Sequence, residues 1–167
     1  MAEQRSPPPI RLMVPVIFIL FSAVSIVIVF LLGLPWILPI PFFWSVGFGI
    51  VLLSVGFPVI VITIRSLSAH RAFGDEIYRP EEESKLVTTG PYAYTRNPLY
   101  LSSTILFIGW TLLLRLTFLL IVTILFLPLF LRAAKWEEEE LTERFGEEYL
   151  SYKERVPFFL PRLRRGQ

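Results

Sequence analysis

The chain has 167 residues, of which 54% are hydrophobic and only 18% are charged. Because the apolar residues cluster in long uninterrupted blocks, this composition excludes an ordinary soluble protein and indicates an integral membrane protein. Cysteine is absent and His70 is the single histidine, so a disulfide, a thiolate nucleophile and the usual metal sites are not expected. The net charge of +2 fits basic residues at membrane edges better than a nucleic-acid-binding surface.

Four apolar runs predict transmembrane helices over residues 14–32, 42–64, 98–114 and 116–131. A signal peptide is the alternative interpretation of the first run. It is disfavoured because the run is long and ends in Gly33-Leu34-Pro35-Trp36 rather than in a small-residue cleavage site. Only Arg115 separates the last two runs, so they predict a tight helical hairpin. The whole chain, 1–167, is expected to form a single all-α membrane domain.

The basic residues predict the orientation of these spans. Of the 16 lysine and arginine residues, only Arg115 falls in the turns after the first and third spans. The others lie in the amino-terminal tail, in the segment 65–96 or after residue 131. Since positively charged residues favour the cytoplasmic side, both termini and the segment 65–96 are expected in the cytoplasm.

Residues 133–155 predict a cytoplasmic helix after the fourth span. Gly146 is a weak point inside this helix, and Val156-Pro157 ends it. One face of the helix is expected to carry residues that recur at three- and four-residue steps, namely Glu137, Leu141, Phe145, Tyr149 and Tyr152.

A polar, turn-rich loop at residues 84–100 precedes and opens the third span. Gly90-Pro91 predicts a turn, and Asn97-Pro98 predicts the start of a helix. A bilayer does not tolerate polar backbone unless protein or water covers it. The loop is therefore expected to lie at the membrane surface or to fold over a ligand.

Three motifs occur in a fixed order along the second half of the chain. They are Leu86-Val87-Thr88-Thr89-Gly90-Pro91-Tyr92, then Arg96-Asn97-Pro98-Leu99-Tyr100, then Glu137-Glu138 followed by Leu141, Phe145-Gly146, Tyr149, Tyr152 and Val156-Pro157. This set resembles the signature of the isoprenylcysteine carboxyl methyltransferase family, much of which the related phospholipid N-methyltransferases share. The likeness covers residues 84–161, about half of the chain.

The resemblance implies a multi-pass membrane enzyme that uses S-adenosylmethionine at the cytoplasmic membrane edge and acts on a lipophilic or lipid-modified substrate. The regions 84–100 and 132–161 would bind the cofactor. Carried over by position, the cofactor-binding residues would be Ser84, Lys85, Leu86, Val87, Tyr92, Asn97, Pro98, Leu99, Tyr100 and Glu137.

The resemblance also indicates candidates for contacts with the substrate. Arg132 lies one position from the family's usual substrate-facing arginine and is a candidate to contact an anionic substrate group. Independently of the resemblance, an amine acceptor would need to lose a proton, and Tyr100 or Glu137 is a candidate to assist that step if suitably placed. Asn97 stands where the family commonly has histidine, and Ser102 stands where it often has glycine. Both departures concern the substrate more than the cofactor.

Other interpretations stay open at this point. A carboxylate acceptor needs no general base because it is ionised at neutral pH, whereas an amine must lose a proton. An NADPH-dependent membrane reductase of similar architecture and a non-catalytic scaffold are the alternative functions. Taken alone, the acidic run 137–140 is best interpreted as a solvated helix face. Taken together with the other motifs, it predicts that Glu137 binds the cofactor. Arg96 could equally bind a lipid phosphate.

Overall fold

The structure is a computed structural model that describes residues 10–32, 37–67 and 86–161. In these ranges the chain forms α1 (Ile10–Leu32), α2 (Phe42–Ser66), a short 3-10 helix (Gly90–Ala93), α3 (Pro98–Leu114), α4 (Thr117–Phe145) and α5 (Glu147–Arg155). The described residues contain no strand element, which confirms the predicted all-α class.

Two of the helices, α2 and α4, are long and apolar enough to cross a membrane. The helix α3 and the stretch Phe18–Leu31 of α1 are apolar but shorter. Large apolar side chains are exposed on the outer faces, with Phe43 86% and Phe30 78% accessible. Such surfaces are costly in water and typical of helices that face lipid, so the structure agrees with insertion into a membrane.

Small residues let α2 and α3 approach each other closely. A Cβ atom added to Gly49 would lie 2.9 Å from the carbonyl oxygen of Gly109, which leaves no room for a side chain. Next to this contact, Ser45 Oγ donates a hydrogen bond of 2.7 Å to the Leu112 carbonyl. Helix pairs in membranes associate through this kind of small-residue packing. It holds the start of α2 against the end of α3. Gly56, further along α2, meets Leu106, nearer the start of α3, so the two helices run antiparallel and the end of α2 lies beside the start of α3.

The turn between α3 and α4 is as tight as the sequence predicts. Arg115 closes it in the left-handed conformation, with φ of 58°. Its carbonyl accepts a hydrogen bond of 2.8 Å from the Leu38 backbone, and its Nη2 donates one of 2.8 Å to the Ile40 carbonyl. These bonds tie the turn before α2 to the turn before α4, at the end of the helices opposite Pro98.

The fourth helix differs from the prediction of a separate helix over residues 133–155. That prediction is wrong, because α4 runs without a break from Thr117 to Phe145. Residues 131–137 contain no glycine or proline and are mostly good helix formers, so nothing ends the helix at the membrane edge. The break comes at Gly146, whose φ of +51° is one that glycine adopts readily. Glu137 therefore sits on a rigid extension of the apolar helix.

Candidate functional site

A partly open cavity lies where α2 ends, α3 begins and α4 leaves its apolar part. It is bounded by the loop 86–97 on one side and by α5 on another. The residues that line it come from five segments of the chain and are Leu67, Leu86, Val87, Tyr92, Arg96, Asn97, Pro98, Leu99, Tyr100, Glu137, Leu141, Phe145, Tyr149 and Tyr152.

Eight of the predicted cofactor-binding residues line this cavity together. They are Leu86, Val87, Tyr92, Asn97, Pro98, Leu99, Tyr100 and Glu137. Ser84 and Lys85 lie outside the described residues. Arg132 is exposed on α4 and is not among the lining residues. The structure thus brings the predicted binding residues to one place, whereas the predicted substrate-facing arginine lies away from it.

The predicted shared face after the fourth span also faces the cavity. Glu137, Leu141 and Phe145 line it from α4, and Tyr149 and Tyr152 line it from α5. The helix breaks at Gly146, which lies between Phe145 and Tyr149. All five residues still line the same cavity on the two sides of this break.

The loop reaches the cavity through two local features of its sequence. Gly90, with φ of +62°, and Pro91 start the 3-10 helix, after which the Tyr94 backbone donates to the Pro91 carbonyl over 3.1 Å. Asn97 then precedes Pro98, which begins α3 without needing a backbone donor. The Asn97 side chain makes no hydrogen bond to the start of its own helix. It is therefore available for a contact across the site.

A buried carboxylate, Glu138, connects the loop with α4. Asn97 Nδ2 donates a hydrogen bond to Glu138 Oε1 over 3.2 Å, and Arg96 Nε forms an ion pair with the same oxygen at 3.2 Å. Lys153 Nζ of α5 lies 3.6 Å from Glu138 Oε2. The Glu138 side chain is only 8% exposed, so these contacts compensate a charge that burial would otherwise disfavour.

The segment after α5 folds back over this network. The Arg96 backbone donates to the Pro157 carbonyl over 3.0 Å, and Asn97 Nδ2 donates to the Phe158 carbonyl over 3.0 Å. The Arg96 guanidinium lies over the Phe158 ring at 5.7 Å. Residues 156–161 thus hold the Arg96–Asn97 part of the loop from the outside, and the loop is fixed from two directions.

Two buried tyrosines of α5 complete the wall. Tyr152 donates a hydrogen bond of 2.7 Å from its hydroxyl to the Tyr92 carbonyl. Burial raises the pKa of both Tyr149 and Tyr152 well above the usual value, and the nearby Glu138 carboxylate raises each further. Both residues therefore stay neutral hydroxyls at physiological pH, and Tyr152 ties the wall to the loop through its hydrogen bond to Tyr92.

The lining groups suit a ligand that is polar at one end and flat or apolar elsewhere. Glu137 and Arg96 supply one charge of each sign, and tyrosines, leucines and a phenylalanine supply the remaining surface. Among the described residues, no group of three or more histidine, cysteine, aspartate or glutamate side chains could hold a metal ion. The arrangement can bind and orient a zwitterionic organic molecule beside apolar helices.

A comparison with protein families identifies the chain. The sequence model described as phospholipid methyltransferase matches residues 44–148, well over half of the chain. The protein belongs to the phospholipid methyltransferase family. No curated protein and no solved structure matches it significantly. Family membership makes it a membrane methyltransferase, and it agrees with the second of the two related families that the motifs resemble.

The region matched by the phospholipid methyltransferase family contains nearly the whole cavity. It begins in α2, includes the loop and α3, and ends at the start of α5. Only the lining residues Tyr149 and Tyr152 fall after it. The cavity is therefore built mainly from the part of the chain that defines the family.

Sequence reasoning overlooked the central position of Glu138. A signal for it was present, because Phe130, Ala134 and Glu138 follow one another at four-residue steps and so lie on one side of a continuous helix. All three are buried, with Ala134 fully so. The predicted span over 116–131 and the predicted helix over 133–155 divide this row between two elements, so Glu137 rather than Glu138 is the predicted site residue.

Proposed function

We propose that this protein is an S-adenosylmethionine-dependent methyltransferase that acts on a lipophilic acceptor at the cytoplasmic edge of the membrane. The single observation that carries the proposal is the convergence of eight predicted cofactor-binding residues, from the loop, α3 and α4, on one cavity. These residues lie up to 51 positions apart in the sequence, from Leu86 to Glu137, yet they line one cavity.

The residues of the cavity fit this cofactor. Its amino-acid end is a zwitterion, and the cavity offers a carboxylate on Glu137 and a guanidinium on Arg96. The adenine ring at its other end is flat and has two apolar faces, and leucines and aromatic residues supply matching surface. When bound, the cofactor would supply an electrophilic methyl group. The chain's own residues would position the acceptor next to it and exclude water.

A phospholipid amine is the acceptor that we propose in preference to a prenylated cysteine. The support is the family match, whose description names phospholipid methyltransferases. An ammonium acceptor must lose a proton before its nitrogen can attack. Glu137 and Tyr100 are two ionisable groups that line the cavity, and we propose that they assist this step. Arg132 is exposed on α4, and we propose that it contacts an anionic group of the substrate at the membrane edge.

The acceptor would reach the cavity from the side, through the apolar helices. Tyr100 belongs both to the cavity wall and to a buried cluster with Phe130, Ala133 and Ala134. Several half-buried aromatic residues pack against that cluster: Phe107, Phe126, Phe158 and Phe159. This continuous apolar region offers a path along which acyl chains could remain in contact with nonpolar surface while the headgroup enters the cavity.

The test uses the detergent-purified protein. Calorimetry with S-adenosylmethionine should show saturable binding, and calorimetry with NADPH should not. Transfer of a labelled methyl group should then occur to vesicles that contain phosphatidylethanolamine but not to a farnesylated cysteine analogue. Binding of NADPH alone would indicate a reductase, and binding of neither cofactor would indicate a scaffold. Transfer to the farnesylated cysteine alone would retain the methyltransferase and reject the amine acceptor.

A further inference from the structure

The guanidinium of Arg96 is buried beside the cavity, and some of its N–H groups are not used in hydrogen bonds. Its side chain is 8% exposed. Among the residues that the structure describes, neither its Nε nor its Nη1 has a hydrogen-bond partner, although the Nε lies 3.2 Å from Glu138 Oε1. The Nε contact is thus an ion pair whose N–H does not point at the carboxylate. Buried donors without acceptors are rare and costly, so their positions often indicate where a ligand atom binds.

The buried carboxylate beside Arg96 is shared with a second cationic side chain. Glu138 is the carboxylate that lies within 4 Å of Arg96, and it also lies 3.6 Å from the Lys153 ammonium. Two cationic side chains thus share one anionic side chain. Glu138 Oε1 also accepts a hydrogen bond of 3.2 Å from the Asn97 side-chain amide. The part of the Arg96 guanidinium that Glu138 does not engage is left to pair with an anionic group of a ligand.

The orientation of the guanidinium is fixed before any ligand arrives. The Arg96 backbone is bonded to Pro157, the side chain lies over the Phe158 ring, and Glu138 holds the Nε edge. A side chain held by two contacts on a fixed backbone loses little conformational freedom when it binds an anion. Arg96 and Glu137 line the same cavity. Arg96 lies on the loop and Glu137 lies on α4.

We propose that Arg96 is the residue that binds the carboxylate of the cofactor's amino-acid end, with its Nη1 N–H donating to a carboxylate oxygen. This inference rests on the proposed function. Glu137 would face the ammonium group of the same amino-acid end, so that the two ends of the zwitterion meet opposite charges. A lipid phosphate offers similar oxyanion chemistry, and the experiment below distinguishes it from the cofactor's carboxylate.

The test compares two ligands that differ in one group. S-adenosylhomocysteine has the carboxylate, and decarboxylated S-adenosylhomocysteine lacks it but keeps the amine. Arg96→Gln should weaken binding of S-adenosylhomocysteine by about 10- to 150-fold, the range for loss of one charge-assisted hydrogen bond. The same change should alter binding of the decarboxylated ligand by less than about threefold, since that ligand has nothing for the guanidinium to hold. Calorimetry reports both affinities without requiring catalysis.

Two further variants separate binding from folding. Lys153→Gln removes the other cation near Glu138 but does not touch the cavity, so it should leave both affinities nearly unchanged. The double variant Arg96→Gln/Glu138→Gln removes both charges of the buried pair and should fold even where the single change leaves Glu138 poorly compensated. It should show the same selective loss for the carboxylate-bearing ligand.

Each outcome decides between stated alternatives. Equal losses for both ligands would show that Arg96 only supports the structure and would overturn the proposal. Unchanged binding of S-adenosylhomocysteine together with weaker binding of anionic phospholipid vesicles would assign Arg96 to a headgroup phosphate, which also overturns it. If the unaltered protein binds neither ligand, the proposed function itself fails, and the result is distinct from a failure of the Arg96 assignment alone.

Discussion

Asn97 Nδ2 donates a hydrogen bond of 3.2 Å to Glu138 Oε1, and this contact joins the loop to α4 across 41 positions of sequence. The amide is well suited to this place because it has two donors, and the second contact goes to the Phe158 carbonyl at 3.0 Å. Asn97 thus connects three separate segments: the loop, α4 and the segment after α5. The shape of the cavity depends on these three segments staying together.

The buried carboxylate should be the main electrostatic support of the site. Glu138→Ala would leave the Arg96 guanidinium buried without a counter-charge and the Asn97 amide without one acceptor. We expect it to lower the free energy of unfolding by roughly 3–5 kcal/mol, the cost of breaking a buried ion pair by removing one partner. Glu139→Ala, at an exposed position one residue along, should change it by less than about 0.5 kcal/mol. Thermal unfolding in detergent measures both, and similar midpoints would contradict the supporting role.

Glu137 should contribute to ligand affinity rather than to stability. If it accepts hydrogen bonds from the cofactor's ammonium group, Glu137→Gln removes a charge-assisted contact and should weaken S-adenosylmethionine binding by about 10- to 150-fold. Glu139→Gln serves as the matched control and should have little effect, since exposed charges contribute little. Calorimetry on protein of verified helicity gives both affinities. Equal and small effects would mean that the acidic run is only a solvated helix face.

The lining residues could be predicted because their motifs are local and ordered. Proline and glycine determine where the loop turns and where α3 starts, and helical periodicity places Glu137, Leu141 and Phe145 on one side. The network around Glu138 could not be predicted in the same way. It depends on the continuity of α4 through residue 132, and this follows from the absence of a helix-breaking residue rather than from a positive signal.

The surroundings of the Arg96 side chain could not be predicted from the sequence either. Its neighbours in the fold come from α4 and from residues 157 and 158, and neither could be assigned to it from spacing. An arginine before a membrane helix more commonly contacts lipid headgroups, so the sequence alone favours a lipid phosphate as much as a cofactor for Arg96. Burial and a leftover donor, which only tertiary structure reveals, change that interpretation.

Alkaline pH should destabilise the protein through the α5 tyrosines. In the unfolded chain a tyrosine loses its proton near pH 10, whereas the raised pKa of Tyr152 keeps it neutral in the folded protein. Its contribution to stability is therefore complete below pH 10 and is lost as the pH rises above 10 toward the folded-state pKa. Unfolding midpoints measured across this range should fall, and they should fall less steeply for Tyr152→Phe.

A control is needed because other groups also titrate in that range. Tyr94 is 59% exposed and belongs to the same loop region, so Tyr94→Phe removes a hydroxyl without removing a buried one. Its pH dependence should match that of the unaltered protein. Tyr152→Phe should in addition start from a lower midpoint at neutral pH, because it loses the hydrogen bond to the Tyr92 carbonyl, which contributes about 1 kcal/mol. Identical slopes for all three proteins would rule out the effect.

The membrane orientation can be tested with reporter fusions. If both termini and the cavity face the cytoplasm, a reporter at Gln167 and one inserted after Pro39, in the turn before α2, should give opposite readouts. A third insertion beside Arg115 should agree with the one after Pro39, since Arg115 is bonded to Leu38 and Ile40. The same readout at Gln167 and Pro39 would reject four spans and the common cytoplasmic side of the loop and α5.

The contact between α2 and α3 should depend on Gly49 far more than on Gly47. A Cβ atom at Gly49 would lie 2.8 Å from the Leu113 backbone nitrogen and 2.9 Å from the Gly109 carbonyl oxygen. Because both atoms belong to backbone, the helices themselves must separate, and the hydrogen bond from Ser45 to Leu112 would lengthen. We expect Gly49→Ala to cost about 1–3 kcal/mol, the range for overpacking.

Gly47 is the matched control for this substitution because it lies in the same helix two residues earlier. A Cβ atom there would meet nothing within 4 Å, so Gly47→Ala should be neutral or should stabilise the helix slightly through its better helix propensity. Thermal unfolding in detergent compares the two variants. A clear loss for Gly49→Ala alone would mean that close backbone approach, rather than the flexibility of glycine, holds α2 against α3. Equal losses of stability for the two variants would mean that the backbone conformation of the glycines causes the effect and that the close contact does not stabilise the protein.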